Sequence, residues 1–159
     1  MTSRDTARVT TFVAVAPDTA FEVFTQEVDL WWRRGPRFRA HQASELSFEN
    51  DAHGRRLVER TPDEVFEIGR VLAWEPGKRL MLSYRQRNFT AEESTELEVR
   101  FEAHGNGTRV VLEHRGWEAL RPKHPARHGL SGEALSSMIG LHWGDILTAY
   151  RVHCSHAPT

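Results

Sequence analysis

VAVAPDTAFEVFTQEVDLWWRR, running from Val13 to Arg34, is the stretch on which the fold turns. It reads as a strand that stops at Pro17, a short amphipathic helix, and then two adjacent tryptophans followed by two arginines. Proline suits the first turn of a helix, where its missing N–H is no loss. Phe21, Phe24 and Val28 follow at spacings of three and four, so all three share one face. Trp31 and Trp32 differ, because neighbours on a helix point about 100° apart and are not expected to insert side by side into one flat contact. Each ring has roughly 150–250 Å² to bury. The expectation is that this corner closes one end of a larger apolar interior.

Upstream, Arg8 to Val15 is rich in Val, Thr and Phe, as strands are. Downstream, the loop Arg34 to His41 carries a Gly35-Pro36 break, and from Ser44 to Arg115 the chain reads as successive strands separated by turn signals. These strands are expected at Leu46–Glu49, Arg56–Arg60, Glu64–Trp74, Leu80–Arg87, Ser94–Ala103 and Thr108–Arg115, the last two joined by a hairpin at His104-Gly105-Asn106-Gly107. Leu97, Val99, Phe101 and Ala103 alternate with charged residues, the pattern of a strand with one solvated face. In its partner, Val110, Leu112 and His114 share a face, so His114 turns inward if the two aliphatics do. Tyr84 is in phase with Leu80 and Leu82 and turns the same way.

The last element is the most regular. After Ser131, a suitable N-cap, the residues Leu135, Met138, Ile139, His142, Trp143, Ile146, Leu147 and Tyr150 keep helical spacing throughout. A helix from Gly132 to His153 is roughly 33 Å long, enough to lie along a nine-residue strand of about 30 Å. The expected architecture is α+β: a curved antiparallel sheet of about seven strands wrapped around a long C-terminal helix, with two short helices after the first strand. A strongly twisted sheet curls around such a helix and leaves space between the two.

These pieces resemble the START-like, or SRPBCC, superfamily with its helix-grip fold. More narrowly, they resemble the bacterial proteins related to the C-terminal domain of the heat-shock-chaperone ATPase activator. The resemblance is carried by APDTAFEVFTQEVDLWW at Ala16–Trp32, FEIGRVLAWEPGKRL at Phe66–Leu80 and HWGDIL at His142–Leu147. It implies a single domain over residues 1–159. It also implies a range of roles that includes lipid carriers, hormone receptors, polyketide cyclases and co-chaperone domains, so the fold leaves function open.

Bulk composition narrows the classes. The chain has 159 residues, 39% hydrophobic and 27% charged, with five Trp and eight Phe, which fits one ordered domain with a proper core. A net charge of −1 offers no long-range attraction to nucleic acid or to an anionic membrane. The single Cys154 excludes an internal disulfide and fits a reducing compartment. With neither a signal-peptide core nor an apolar run of ~20 residues, a cytoplasmic protein without membrane insertion is expected. No metal-ligand spacing, nucleophile elbow, phosphate loop or dinucleotide fingerprint is present, so no cofactor is expected. His124 and His128 flank Pro125, which disfavours one continuous helix face.

The expected function is to hold a small hydrophobic or amphipathic ligand between sheet and helix. Trp32, Tyr84, Phe101, Leu112, His114, Met138, His142 and Trp143 would form the wall, with His114 and His142 orienting a polar group. His142 interrupts an apolar stripe. It is either a core histidine bonded to a carbonyl or water, or a polar group facing a cavity. Trp32 and Trp143 have packing as their plain alternative. A cyclase or dehydratase using His142 or His114 as general acid or base is the second reading. A protein-interaction module with a chaperone partner is the third. Glu59 reads as a solvated strand-end charge, and Arg33, Arg34, Arg37 and Arg39 as a solvated basic loop, with receipt of an anionic head group as its alternative role. Gly140 and Gly144, opposite His142 on the helix, call for a bend or a close approach.

Overall fold

The computed structural model describes residues 6–32, 44–85, 89–90, 93–117, 130 and 132–156. Ser131, the basic loop from Arg33 to Arg39, His124 and His128 lie outside the described residues. Strand β1 (Ala7–Val13) leads into α1 (Pro17–Gln26) and the single-turn α2 (Val28–Trp31). Six strands follow: β2 (Glu45–Asp51), β3 (Gly54–Arg60), β4 (Val65–Glu75), β5 (Arg79–Tyr84), β6 (Thr95–His104) and β7 (Gly107–Arg115). Helix α3 (Gly132–Cys154) comes last. The first strand ends two residues sooner than its composition suggests. There the Thr108 hydroxyl takes over the Val15 carbonyl at 2.7 Å in place of a ladder bond.

The seven strands form one sheet in the order β1-β7-β6-β5-β4-β3-β2, every neighbouring pair antiparallel. Chain order therefore places β1 at one edge and β2 at the other, with α1 and α2 as the connection between them. Those two helices bury Phe21, Phe24, Val28 and Trp31 against a face supplied by Leu80, Leu82 and Tyr84 of β5, Leu97, Val99 and Phe101 of β6, and Val110, Leu112 and His114 of β7. The curved antiparallel sheet and long closing helix are the helix-grip fold.

The opposite face is charged and internally paired. Glu98 meets Arg79, Arg100 and Arg115, while Glu113 meets Arg100 and Arg115. Burial would raise the Glu98 carboxyl, but hydrogen bonds from Arg79 and Arg115 outweigh it and hold the group below its ordinary range. On β2, β3 and β4 a second cluster joins Glu49, Asp51 and Glu67 to Arg56 and Arg70. With charges so matched, this face presents no basic stripe among the described residues.

Helix α3 buries Leu135, Ile139, Trp143, Ile146, Leu147 and Tyr150, with Met138 and His142 half-buried beside the stripe. The Tyr150 hydroxyl donates to the Ala20 carbonyl at 2.6 Å and ties α3 to α1. Trp31 and Trp32 correct the expectation that two helical neighbours cannot share a contact. The helix stops at Trp31, Trp32 leaves helical geometry at φ −81° and ψ 57°, and the two rings stack at 5.9 Å and 18°. The Trp31 indole N–H then reaches the Val23 carbonyl at 3.1 Å.

An approach to Gly140 or Gly144 by another part of this chain is not found among the described residues: a Cβ at either would meet nothing within 4 Å. Both glycines then cost helix stability for no contact among the described residues. Gly140→Ala and Gly144→Ala should each stabilise the protein by about 1 kcal/mol, read as a rise in the urea midpoint. A fall in that midpoint for either variant would show that its glycine serves a contact.

Candidate functional site

The inner face carries a continuous row of rings. Phe101 touches Phe24, Phe24 meets Trp31, Trp31 stacks on Trp32, and Trp32 meets Trp143 at 5.3 Å. Trp143 continues to Tyr84 at 5.8 Å and to His114 at 5.9 Å. His114 then faces Trp117 at 4.8 Å, and Trp117 faces Phe89 at 6.2 Å. At the Trp31–Trp32 end the space expected between sheet and helix is occupied by these rings in mutual contact.

His114 is held by a chain of hydrogen bonds whose direction can be worked out. An indole N–H only donates, so Trp143 Nε1, 2.9 Å from His114 Nδ1, makes that ring nitrogen an acceptor. The imidazole is therefore neutral, with its proton on Nε2, which donates to Thr95 Oγ1 at 2.7 Å. Thr95 passes its own proton to the Tyr84 carbonyl at 3.1 Å. Register explains the meeting: Tyr84 lies opposite Thr95 on β5 and β6, and Leu97 lies opposite His114 on β6 and β7. Burial, with a smaller contribution from nearby His142, pushes the His114 pKa down to about 3. The ring is neutral at pH 7, and both its nitrogens have protein partners.

His142 stands differently. It is half-buried and packs edge-on to Trp143 at 5.4 Å. Burial lowers its pKa and Asp145 partly offsets that. It is the histidine of this region that keeps both partial exposure and access to the row of rings. Tyr84, Trp32, Trp143, Phe101, Leu112 and His114 are all buried on the inner face, and Met138 flanks them. The structure thus brings the eight sequence-selected residues to one side of the sheet.

Two residues stand out that the sequence reading undervalued. Glu59, read as solvated, is fully buried, opposite Leu46 on β2 and Phe66 on β4. The phase it shares with Leu57 turns it inward. Trp117, in a Gly-Trp loop with no periodicity to betray it, is buried beside His114. Its indole nitrogen has no hydrogen-bond partner among the described residues.

Other chemistries are poorly supplied. Cys154 is buried, and burial pushes its thiol up to about 11, far from a working nucleophile. Among the described residues no cluster of His, Cys, Asp and Glu has the makings of a metal site. Among the described residues no helix is long and apolar enough to cross a membrane. On the outer side of α2 and α3 there is a separate groove of about 420 Å³ lined by Leu30, Trp31 and Val152.

Residues 10–138 match the family described as Activator of Hsp90 ATPase homolog 1-like protein. The chain belongs to this family. Among solved structures, a protein of Mesorhizobium loti aligns with a TM-score of 0.65 over 97% of this chain and 99% of its own, at 14% identity. The Aha1 dimer of Colwellia psychrerythraea aligns with a TM-score of 0.58 at 12% identity, over 97% of this chain and 98% of that one. Both establish the family's fold. Txn09, an anthrahydroquino-γ-pyrone synthase solved in a complex, is 28% identical with a TM-score of 0.56 over 92% of this chain and 95% of its own. No functionally curated protein matches the chain.

Proposed function

We propose that this family member binds a small, flat, largely apolar aromatic molecule on the inner face of its sheet, beneath α3. The observation that carries the reading is the row of rings from Trp32 through Trp143 and His114 to Trp117. Rigid aromatic walls with a few polar groups are the usual make-up of small-molecule sites. The likeness to a synthase of a fused-ring aromatic product supports the choice of ligand class.

The same likeness favours one further reading, a cyclase-type enzyme acting on such a molecule. Such chemistry needs a positioned acid or base near neutrality. His114 is ill suited, being neutral, enclosed and bonded at both nitrogens. His142 is the residue for that role.

Binding is tested by titrating two- to four-ring aromatic compounds against tryptophan emission, with native mass spectrometry of the saturated protein. At least one fused-ring compound should quench emission with micromolar affinity and remain bound in the mass spectrum, while straight-chain fatty acids should do neither. Silence across the aromatic panel would reject the proposal. For the enzyme reading, His142→Ala should keep ligand affinity within about threefold and lose at least 100-fold in turnover. An unaltered rate would remove His142 from the chemistry.

A further inference from the structure

Trp117 carries a buried indole N–H that finds no acceptor among the described residues. Its side chain is 2% exposed, and Nε1 has no hydrogen-bond partner among the described residues. A buried donor in that state costs free energy, and nearly all such groups in folded proteins are satisfied by protein, water or ligand. The neighbouring ring is no help. His114, 4.8 Å away between ring centres, spends Nδ1 on Trp143 and uses Nε2 as a donor to Thr95. Two other buried indoles differ: Trp31 bonds the Val23 carbonyl and Trp143 bonds His114. Trp117 also stands near the end of the ring row, between His114 and Phe89 in its sequence of ring contacts.

We infer that Trp117 Nε1–H is a polar anchor of the ligand site and that it selects molecules presenting a hydrogen-bond acceptor, of the aryl ketone or quinone class. This rests on the aromatic-ligand reading above and adds the polar requirement that reading lacks. An indole N–H cannot accept, so a ligand offering only donors at this point gains nothing from it. A carbonyl in the plane of a fused-ring system suits the position, since the ring lies along the aromatic walls while the oxygen meets the indole. Sequence gives little sign of it, because Trp117 follows the last strand and belongs to no periodic apolar pattern.

The test compares anthraquinone-2-sulfonate with anthracene-2-sulfonate, two probes alike in charge and ring count that differ in the carbonyl oxygens. Affinities are measured by calorimetry for the natural protein and for Trp117→Phe. The natural protein should prefer the quinone, and the ratio of the two affinities should fall about tenfold in the variant, the scale of one hydrogen bond that loses its partner. In ¹H–¹⁵N spectra of the natural protein, the Trp117 indole signal, assigned through sequential connectivities, should move downfield with the quinone and not with the hydrocarbon. That second readout survives even if the variant folds poorly. An equal ratio in both proteins, or an indole signal indifferent to the quinone, overturns the anchor while leaving aromatic binding intact. Failure of both probes to bind the natural protein overturns aromatic binding and the anchor together.

Discussion

Gly69→Ala is expected to cost about 4 kcal/mol or more, in the range reached only by substitutions that break a defined structural feature. The reason is backbone geometry. A Cβ at this position would sit 1.8 Å from the Ser83 carbonyl oxygen and 2.9 Å from the Ser83 carbonyl carbon. Neither atom is the free end of a flexible side chain, so relief requires β4 and β5 to separate. The register is already irregular there: Leu57 pairs with Gly69 and Val58 with Glu67, leaving Ile68 as the extra residue of a bulge. Two bonds bridge the site, from Arg70 N to Ser83 Oγ at 3.0 Å and from Arg85 N to the Ile68 carbonyl at 2.8 Å. Widening the gap strains both and displaces Tyr84, whose carbonyl anchors Thr95 and through it His114. For a domain with ordinary stability of roughly 5–15 kcal/mol, such a loss removes between about a quarter and four-fifths of the margin. Urea unfolding followed by tryptophan emission measures it. A midpoint shift worth less than 1 kcal/mol would mean that the strands part freely, and that this closeness does not hold the site.

What the sequence discloses and what it hides divide along a physical line. Period-two alternation in Thr95–His104 and the helical stripe from Leu135 to Tyr150 are local patterns, and each places its residues on the face where the structure has them. The inward turn of His114 follows from Val110 and Leu112 by the same rule. Gly69 is opaque because its need for a missing Cβ arises from Ser83, a residue on another strand. Glu59 is hard to place because a charged residue in phase with one leucine is usually a solvated end, whereas its burial between Leu46 and Phe66 comes from pairing with two other strands. The stacking of Trp31 on Trp32 depends on where the helix stops, a boundary that sequence patterns locate poorly. The bond between Trp143 and His114 joins residues 29 apart on different layers, and no spacing rule reaches across layers.

That bond has the larger consequence for stability in acid. With the folded-state pKa of His114 lowered from 6.5 to about 3, the unfolded chain takes up the proton at a higher pH than the folded one. The contribution of the neutral ring is therefore complete above pH 6.5. It is lost progressively as the pH falls, at about 1.4 kcal/mol for each pH unit and on the order of 5 kcal/mol by pH 3. Protonating the folded ring requires Nδ1 to give up the Trp143 N–H, since imidazolium is a donor at both nitrogens. Among the described residues no carboxylate faces the ring to compensate the cation. The groups facing it are the Tyr84 ring at 4.8 Å, the Trp117 ring at 4.8 Å, the Trp143 ring at 5.9 Å and the hydroxyl of Thr95, while His142 adds a second site whose charge opposes it. His114→Gln separates this contribution from the rest of the titration, because an amide can accept from Trp143 and donate to Thr95 without taking up a proton. The variant should be less stable than the natural protein at pH 7. Between pH 7 and pH 5 that difference should shrink by about 2 kcal/mol, because only the natural protein carries the His114 penalty. Urea unfolding of both proteins at pH 7, 6 and 5 reads it directly. A difference that stays constant across those three pH values would mean that His114 titrates alike in folded and unfolded chains, and the directed chain from Trp143 to Tyr84 would have to be abandoned.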